Sequence, residues 1–165
     1  MIPEDEPSSP VCYMAEADDV YMGFAGRDEL LKSLDELLEA ERAGAKVALA
    51  SSRMPATRAY TALMRTIWAD EARWCAMLAE QIGRLEATPS HQTGAFREKA
   101  LAIADPFDRL AFLNRGQAWV VRKLEEMLPR VRDEQLHGVL KDMLESHRRN
   151  IRSAADLLHT ENAAC

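Results

Sequence analysis

Four polar residues interrupt four apolar stripes in this chain. Glu41 stands between Leu34 and Ala48, Glu71 between Met64 and Leu78, Gln117 between Leu110 and Leu124, and His147 between Leu140 and Ala154. The flanking residues lie one heptad away, and residues seven apart share a helix face with only a small drift. A carboxylate on a core face is costly unless it is paired or bound to a metal. Carboxylates and imidazoles projecting inward from facing helices are how helical bundles build metal sites. Glutamate oxygens and a histidine nitrogen suit a divalent first-row metal such as iron or manganese. Glu41, Glu71 and His147 are therefore the expected ligands, and Gln117 is expected to complete or orient the site. The same groups also admit a metal-free arrangement, in which the carboxylates share a proton or pair with His147 as imidazolium.

Positioning these residues requires four long helices. Periodicity predicts a first helix over 28–53, a second over 56–86, a third from Pro106 to about 131 and a fourth over 133–159. Pro55 is expected to close the first helix and open the second, and Asp105-Pro106 to cap and start the third. The second and third are separated by a long connection, 87–105, in which ATPSHQTG reads as turns and AFREKALAIA as a short helix. Glu41 and Glu71 lie roughly 14 and 16 residues from the first tight turn, and Gln117 and His147 each roughly 15 from the second. At about 1.5 Å rise per residue, each pair comes level to within about one turn. Two tight hairpins joined by one long crossover is the arrangement of ferritin-like folds.

Residues near the four extend the reading. Trp74 follows Glu71 by one turn and either walls the site off from water or packs the core. Asn150 either steadies His147 from behind or makes a plain helix–helix contact. Trp68 and Trp119 lie off the main stripes and are expected to dock the tail or a partner subunit. Residues 1–27 form a tail without helical period, and 11–24 is expected to lie as an extended arm against the helical domain, 28–160. The arm contains Cys12 among Glu16, Asp18 and Asp19, where carboxylates discourage a reactive thiolate.

Composition excludes several classes. The chain has 165 residues, a formal net charge of −6, and interleaved acidic and basic residues. No basic stripe with aromatics suggests nucleic acid, and an acidic surface disfavours anionic membranes. No apolar run is long enough to span a bilayer. Cys12, Cys75 and Cys165 are odd in number and far apart, which reads as free thiols in a reducing compartment. The MIPEDEPSSP start lacks the basic-then-apolar order of a signal peptide, so a cytoplasmic location is expected.

The runs LLEAERAGA (37–45), DEARWCAML (70–78) and LNRGQAWVVRKLEEMLPR (113–130) carry a resemblance. Over residues 27–158 the chain resembles the ferritin-like superfamily of rubrerythrin and bacterioferritin, and more closely a little-characterised bacterial branch of it. The resemblance implies an all-α, ferritin-like four-helix bundle. It also implies a di-iron ligand pattern: Glu on the first helix, Glu-x-x-His on the second, Glu on the third and Glu-x-x-His on the fourth. Glu41 and Glu71 match that pattern. Trp74, Gln117 and the His147-x-x-Asn150 pair depart from it, with His147 as a replacement ligand. Two carboxylates balance one divalent ion rather than two, so the expected site is mononuclear or vestigial.

Two functional expectations follow. One is an iron- or manganese-dependent oxidoreductase acting on dioxygen or peroxide. The other is a non-enzymatic partner-binding or dimerising module, in which the polar residues set helix register and no cofactor is held. The oligomeric state is left open by the sequence; the resemblance makes a homodimer one candidate, since ferritin-like proteins often pair.

Overall fold

A computed structural model of the chain describes residues 19–164, and these are all-helical, with no strand among them. The elements are α1 (Arg27–Ser51), α2 (Arg58–Arg84), a short α3 (Phe96–Leu101), α4 (Pro106–Met127), a 3₁₀ turn (Leu128–Arg130) and α5 (Glu134–Ala164). No described helix is long and apolar enough to cross a membrane.

Local chemistry explains most of the boundaries. Asp105 caps α4 as expected, its Oδ1 accepting from Phe107 N and Asp108 N at 2.9 Å each. The α1–α2 link differs from expectation. α1 stops at Ser51, and Thr57 caps α2, its Oγ1 accepting from Tyr60 N at 3.2 Å. Pro55 therefore sits between the helices and does not open α2, because the hydroxyl two residues on caps it through one of its free N–H groups. Part of the arm also differs. Residues 19–21 form a helical turn, and Val20, Tyr21 and Met22 are 58%, 90% and 70% exposed instead of packed. The arm is tied near its end by Ala25 N donating to Arg130 O at 2.9 Å and by an Asp19–Arg132 ion pair. Cys12, Glu16 and Asp18 lie outside the described residues, as does Cys165.

α1 lies along α2, α4 along α5, α1 against α4, and α2 against α5. The core divides in two. One apolar cluster holds Leu34 and Leu38 of α1, Trp74 and Leu78 of α2, Leu124 of α4 and Leu140 of α5. The other holds Val47, Met64, Leu110 and Ala154 from the same four helices. Early α1 thus meets late α2, late α4 and early α5, so neighbouring helices run antiparallel. The 85–105 connection must travel the length of these helices to carry the chain from the end of α2 to the start of α4. It is pinned to α1 on the way. Ser90 N donates to Asp35 Oδ1 at 2.9 Å, Ser90 Oγ donates to Glu39 Oε1 at 2.6 Å, and Arg42 donates to Ser90 O.

Candidate functional site

The four predicted polar residues lie in the seam between the two apolar clusters. Going along each helix, Glu41 falls between Leu38 and Val47, Glu71 between Ile67 and Trp74, Gln117 between Leu113 and Val120, and His147 between Leu144 and Ala154. All four are buried, with exposures of 1%, 3%, 3% and 1% respectively.

They pair across the interior, between helices that are not the main packing neighbours. His147 Nε2 of α5 lies 3.0 Å from Glu41 Oε1 of α1. The approach is close enough for an ion pair but lacks the alignment of a hydrogen bond. On its other side, His147 Nδ1 lies 3.0 Å from Met143 O, which fixes the ring. Gln117 Nε2 of α4 donates to Glu71 Oε1 of α2 at 3.3 Å. Four side-chain atoms of the layer are buried without a hydrogen-bond partner: Glu41 Oε2, Glu71 Oε2, Gln117 Oε1 and His147 Nε2. Buried polar atoms are normally satisfied, so these four single out the layer as the candidate site. Among the described residues, however, no three His, Cys, Asp or Glu side chains stand ready-grouped to hold a metal ion.

The charges are held unusually. Burial and then the charge of Glu41 push the Glu71 carboxyl well above the ordinary carboxylate range, against the pull of the Gln117 hydrogen bond. Burial alone would lower the His147 imidazole. The charge and nearness of Glu41, with the Met143 carbonyl, outweigh it and raise the group. Both groups therefore bind protons more tightly in the folded protein than in the unfolded chain. Their stabilising contribution is full below the unfolded values, 4.5 and 6.5, and is lost as pH rises through the folded values. Glu71→Gln imitates the protonated acid. It should therefore gain stability over metal-free wild type progressively as pH rises above 4.5. Urea denaturation of both proteins across pH checks this, and a pH-independent difference would show that Glu71 titrates normally.

The remaining expected residues separate from this group. Asn150 Nδ2 donates to Asp70 Oδ2 at 3.1 Å, and Ser146 Oγ donates to the same oxygen at 3.1 Å. Asn150 is thus a tie between α5 and α2, not a support for His147. Trp74 belongs to the first core cluster, 4% exposed, with the Arg73 guanidinium 4.0 Å above its ring. Trp119, 40% exposed, lines a cavity against the layer, and most of the tail expected to dock there lies outside the described residues. Cys75 is half-buried and its thiol is pushed up to about 12, by burial first and then by the Glu41 charge. It is not a reactive thiolate.

Sequence reasoning missed Asp70, Ser146 and two glycines. A Cβ on Gly44 would lie 2.6 Å from both Glu71 carboxylate oxygens, and one on Gly116 would lie 2.6 Å from the Phe96 ring. Gly44 lets the Glu71 carboxylate rest on the α1 backbone, and Gly116 lets Phe96 rest on α4. The signal was present in the chain, since glycine inside a helix costs roughly 1 kcal/mol against alanine and asks for a reason.

Residues 28–156 match the model of a family described as "Domain of unknown function (DUF6306)". No curated protein and no solved structure matches the chain.

Proposed function

We propose a function from the site itself, because the chain belongs to the DUF6306 family, whose description assigns none: a metal-binding protein of ferritin-like four-helix architecture with a mononuclear centre for iron or manganese. The observation that carries this reading is the set of unpartnered buried atoms, Glu41 Oε2, Glu71 Oε2, Gln117 Oε1 and His147 Nε2. Carboxylate oxygen and imidazole nitrogen are the donors that such ions prefer, and two carboxylates balance one divalent charge. Glu41, Glu71 and His147 would hold the ion, and Gln117 would orient Glu71 through its amide. Since no three ligands stand pre-grouped, loading requires these side chains to turn toward a common point and Glu71 to give up its proton. Bound there, the ion would supply a redox couple for dioxygen or peroxide. The residues around it would exclude water and fix the imidazole through the Met143 carbonyl.

A second reading is favoured by the Glu41–His147 contact, which balances charge without any ion. In it the polar layer sets helix register within a partner-binding or dimerising module. Buried polar groups serve that role in some systems.

The test is metal content by plasma mass spectrometry on untagged protein grown with added iron and manganese. Wild type is compared with Glu41→Gln, Glu71→Gln and His147→Gln. The metal reading expects near-stoichiometric iron or manganese in wild type and its loss in the variants. A folded wild type without metal overturns that reading and leaves the register role.

A further inference from the structure

The polar layer is also one wall of a cavity. About 360 Å³ of space opens between α1, α4 and the crossover, within the range of small-molecule sites. Glu41, Glu71 and Gln117 line it together with Phe96, Leu113 and Val120. The three polar residues are more than nine-tenths buried. Each presents an oxygen with no partner: Glu41 Oε2, Glu71 Oε2 and Gln117 Oε1.

These oxygens define the head group of a ligand. Glu41 Oε2 and Gln117 Oε1 are buried acceptors beside Glu71, a group that can ionise against a cation. Together they call for a head group with several N–H donors and a positive charge, and an ammonium has three donors and no acceptor. An incoming carboxylate or phosphate would meet two glutamates, against which it would find only the second N–H of the Gln117 amide, whose first is given to Glu71. Glu36 and Glu39 line the same cavity. Glu36 is paired with Lys123 and Glu39 accepts from Ser90, but the chain's net charge of −6 also favours a cation.

The rest of the space defines the tail. A bare ion needs only a small part of 360 Å³, and Phe96, Leu113 and Val120 offer it nothing to coordinate. Apolar walls above polar acceptors fit an amphiphile. Two helix-interior glycines keep this shape. Gly44 seats the Glu71 carboxylate and Gly116 seats the Phe96 ring. Both residues also border the cavity.

We propose that this cavity binds a small primary amine, its ammonium received by Glu41, Glu71 and Gln117 and its hydrocarbon tail lying between Phe96, Leu113 and Val120. The inference goes beyond the metal reading and does not require an ion.

The test uses full-length, chelator-treated protein, titrated by calorimetry and by tryptophan fluorescence, since Trp119 borders the cavity. The probes are propylamine, butylamine, hexylamine, hexan-1-ol and hexanoate. The amines should bind, tightening by about fourfold for each added CH₂ until the cavity is full. Hexan-1-ol should bind at least about tenfold more weakly than hexylamine, the loss of one charge-assisted contact, and hexanoate should not bind. Glu71→Gln should weaken hexylamine by a larger factor than hexan-1-ol. Ala40→Phe, which fills the cavity from α1, should abolish the chain-length dependence. Circular dichroism establishes that both variants are folded. Equal binding of hexan-1-ol and hexylamine, or no amine binding, overturns the proposal. Amine binding only to metal-loaded protein also overturns it and leaves the metal reading standing. Amine binding to protein that never takes up metal supports the proposal while the metal reading falls.

Discussion

Replacing Glu41 with alanine destabilises the metal-free protein by about 3–5 kcal/mol near pH 6, the cost of breaking a buried ion pair by removing one partner. The reason lies in what is left behind. Glu41 and His147 are each 1% exposed and lie 3.0 Å apart. Without Glu41, the imidazole has neither water nor a counter-charge, and must release its proton or stay charged in an apolar seam. Glu41 is among the groups that raise His147 above its ordinary value, so the loss is larger at low pH, where the imidazolium must persist, than at high pH. A urea series at several pH values reads the effect. A double-mutant cycle with His147→Ala separates the pair from the cavity created by truncation. Additivity in that cycle would mean that the two side chains are neighbours without energetic coupling.

The second large effect is expected at a residue that no metal argument selects. Arg109, 8% exposed, reaches back from α4 over the crossover. Its Nε donates to Ile103 O at 2.9 Å, and its Nη2 donates to Leu101 O at 3.2 Å and to Ile103 O at 2.5 Å. The guanidinium fork thus ties the end of α3 to the first turns of α4. Arg109→Ala removes these charge-assisted bonds, leaves two carbonyls short of a donor and opens a void. The expected cost is about 2–4 kcal/mol. Lysine should recover only part of it, because a point charge on a flexible stem does not reproduce the fork. Hydrogen exchange gives the distinguishing readout. Protection should fall in 96–105 more than in the core helices. A uniform loss would mean that Arg109 supports the whole molecule and not the crossover.

These two predictions mark where sequence and tertiary structure divide. Heptad spacing is a covalent property of the chain. Once Leu34, Glu41 and Ala48 are on a helix they share a face, and so do the corresponding triplets of α2, α4 and α5. All twelve of these residues are buried. The level of Glu41 with Glu71, and of Gln117 with His147, follows in turn from helix rise and the two short turns, which are also local. That the two pairs share one layer is decided by the packing of the hairpins. The length of the crossover was legible too, because a chain leaving the end of α2 needs many residues to reach the start of α4.

What was not legible is which groups meet across the interior. Four polar residues at one level admit several pairings. Only the spatial order of the helices decides that Glu41 faces His147 and Glu71 faces Gln117. Asn150 was ambiguous in sequence because a helix residue three after His147 can point at the layer or at a neighbouring helix. The nearness of Asp70, which accepts from Asn150, settles it on α2. Gly44 and Gly116 read as small helix residues until Glu71 and Phe96 are seen resting on them. The cavity is the furthest from the sequence, since empty space is encoded by no residue. Its lining comes from α1, α2, α4 and the crossover, Glu71 resting on Gly44 and Phe96 on Gly116. Helix faces, depth and connection length are set by local geometry along the chain. Pairings, seats and the cavity depend on contacts between residues distant in sequence, and these exist only once the helices have come together.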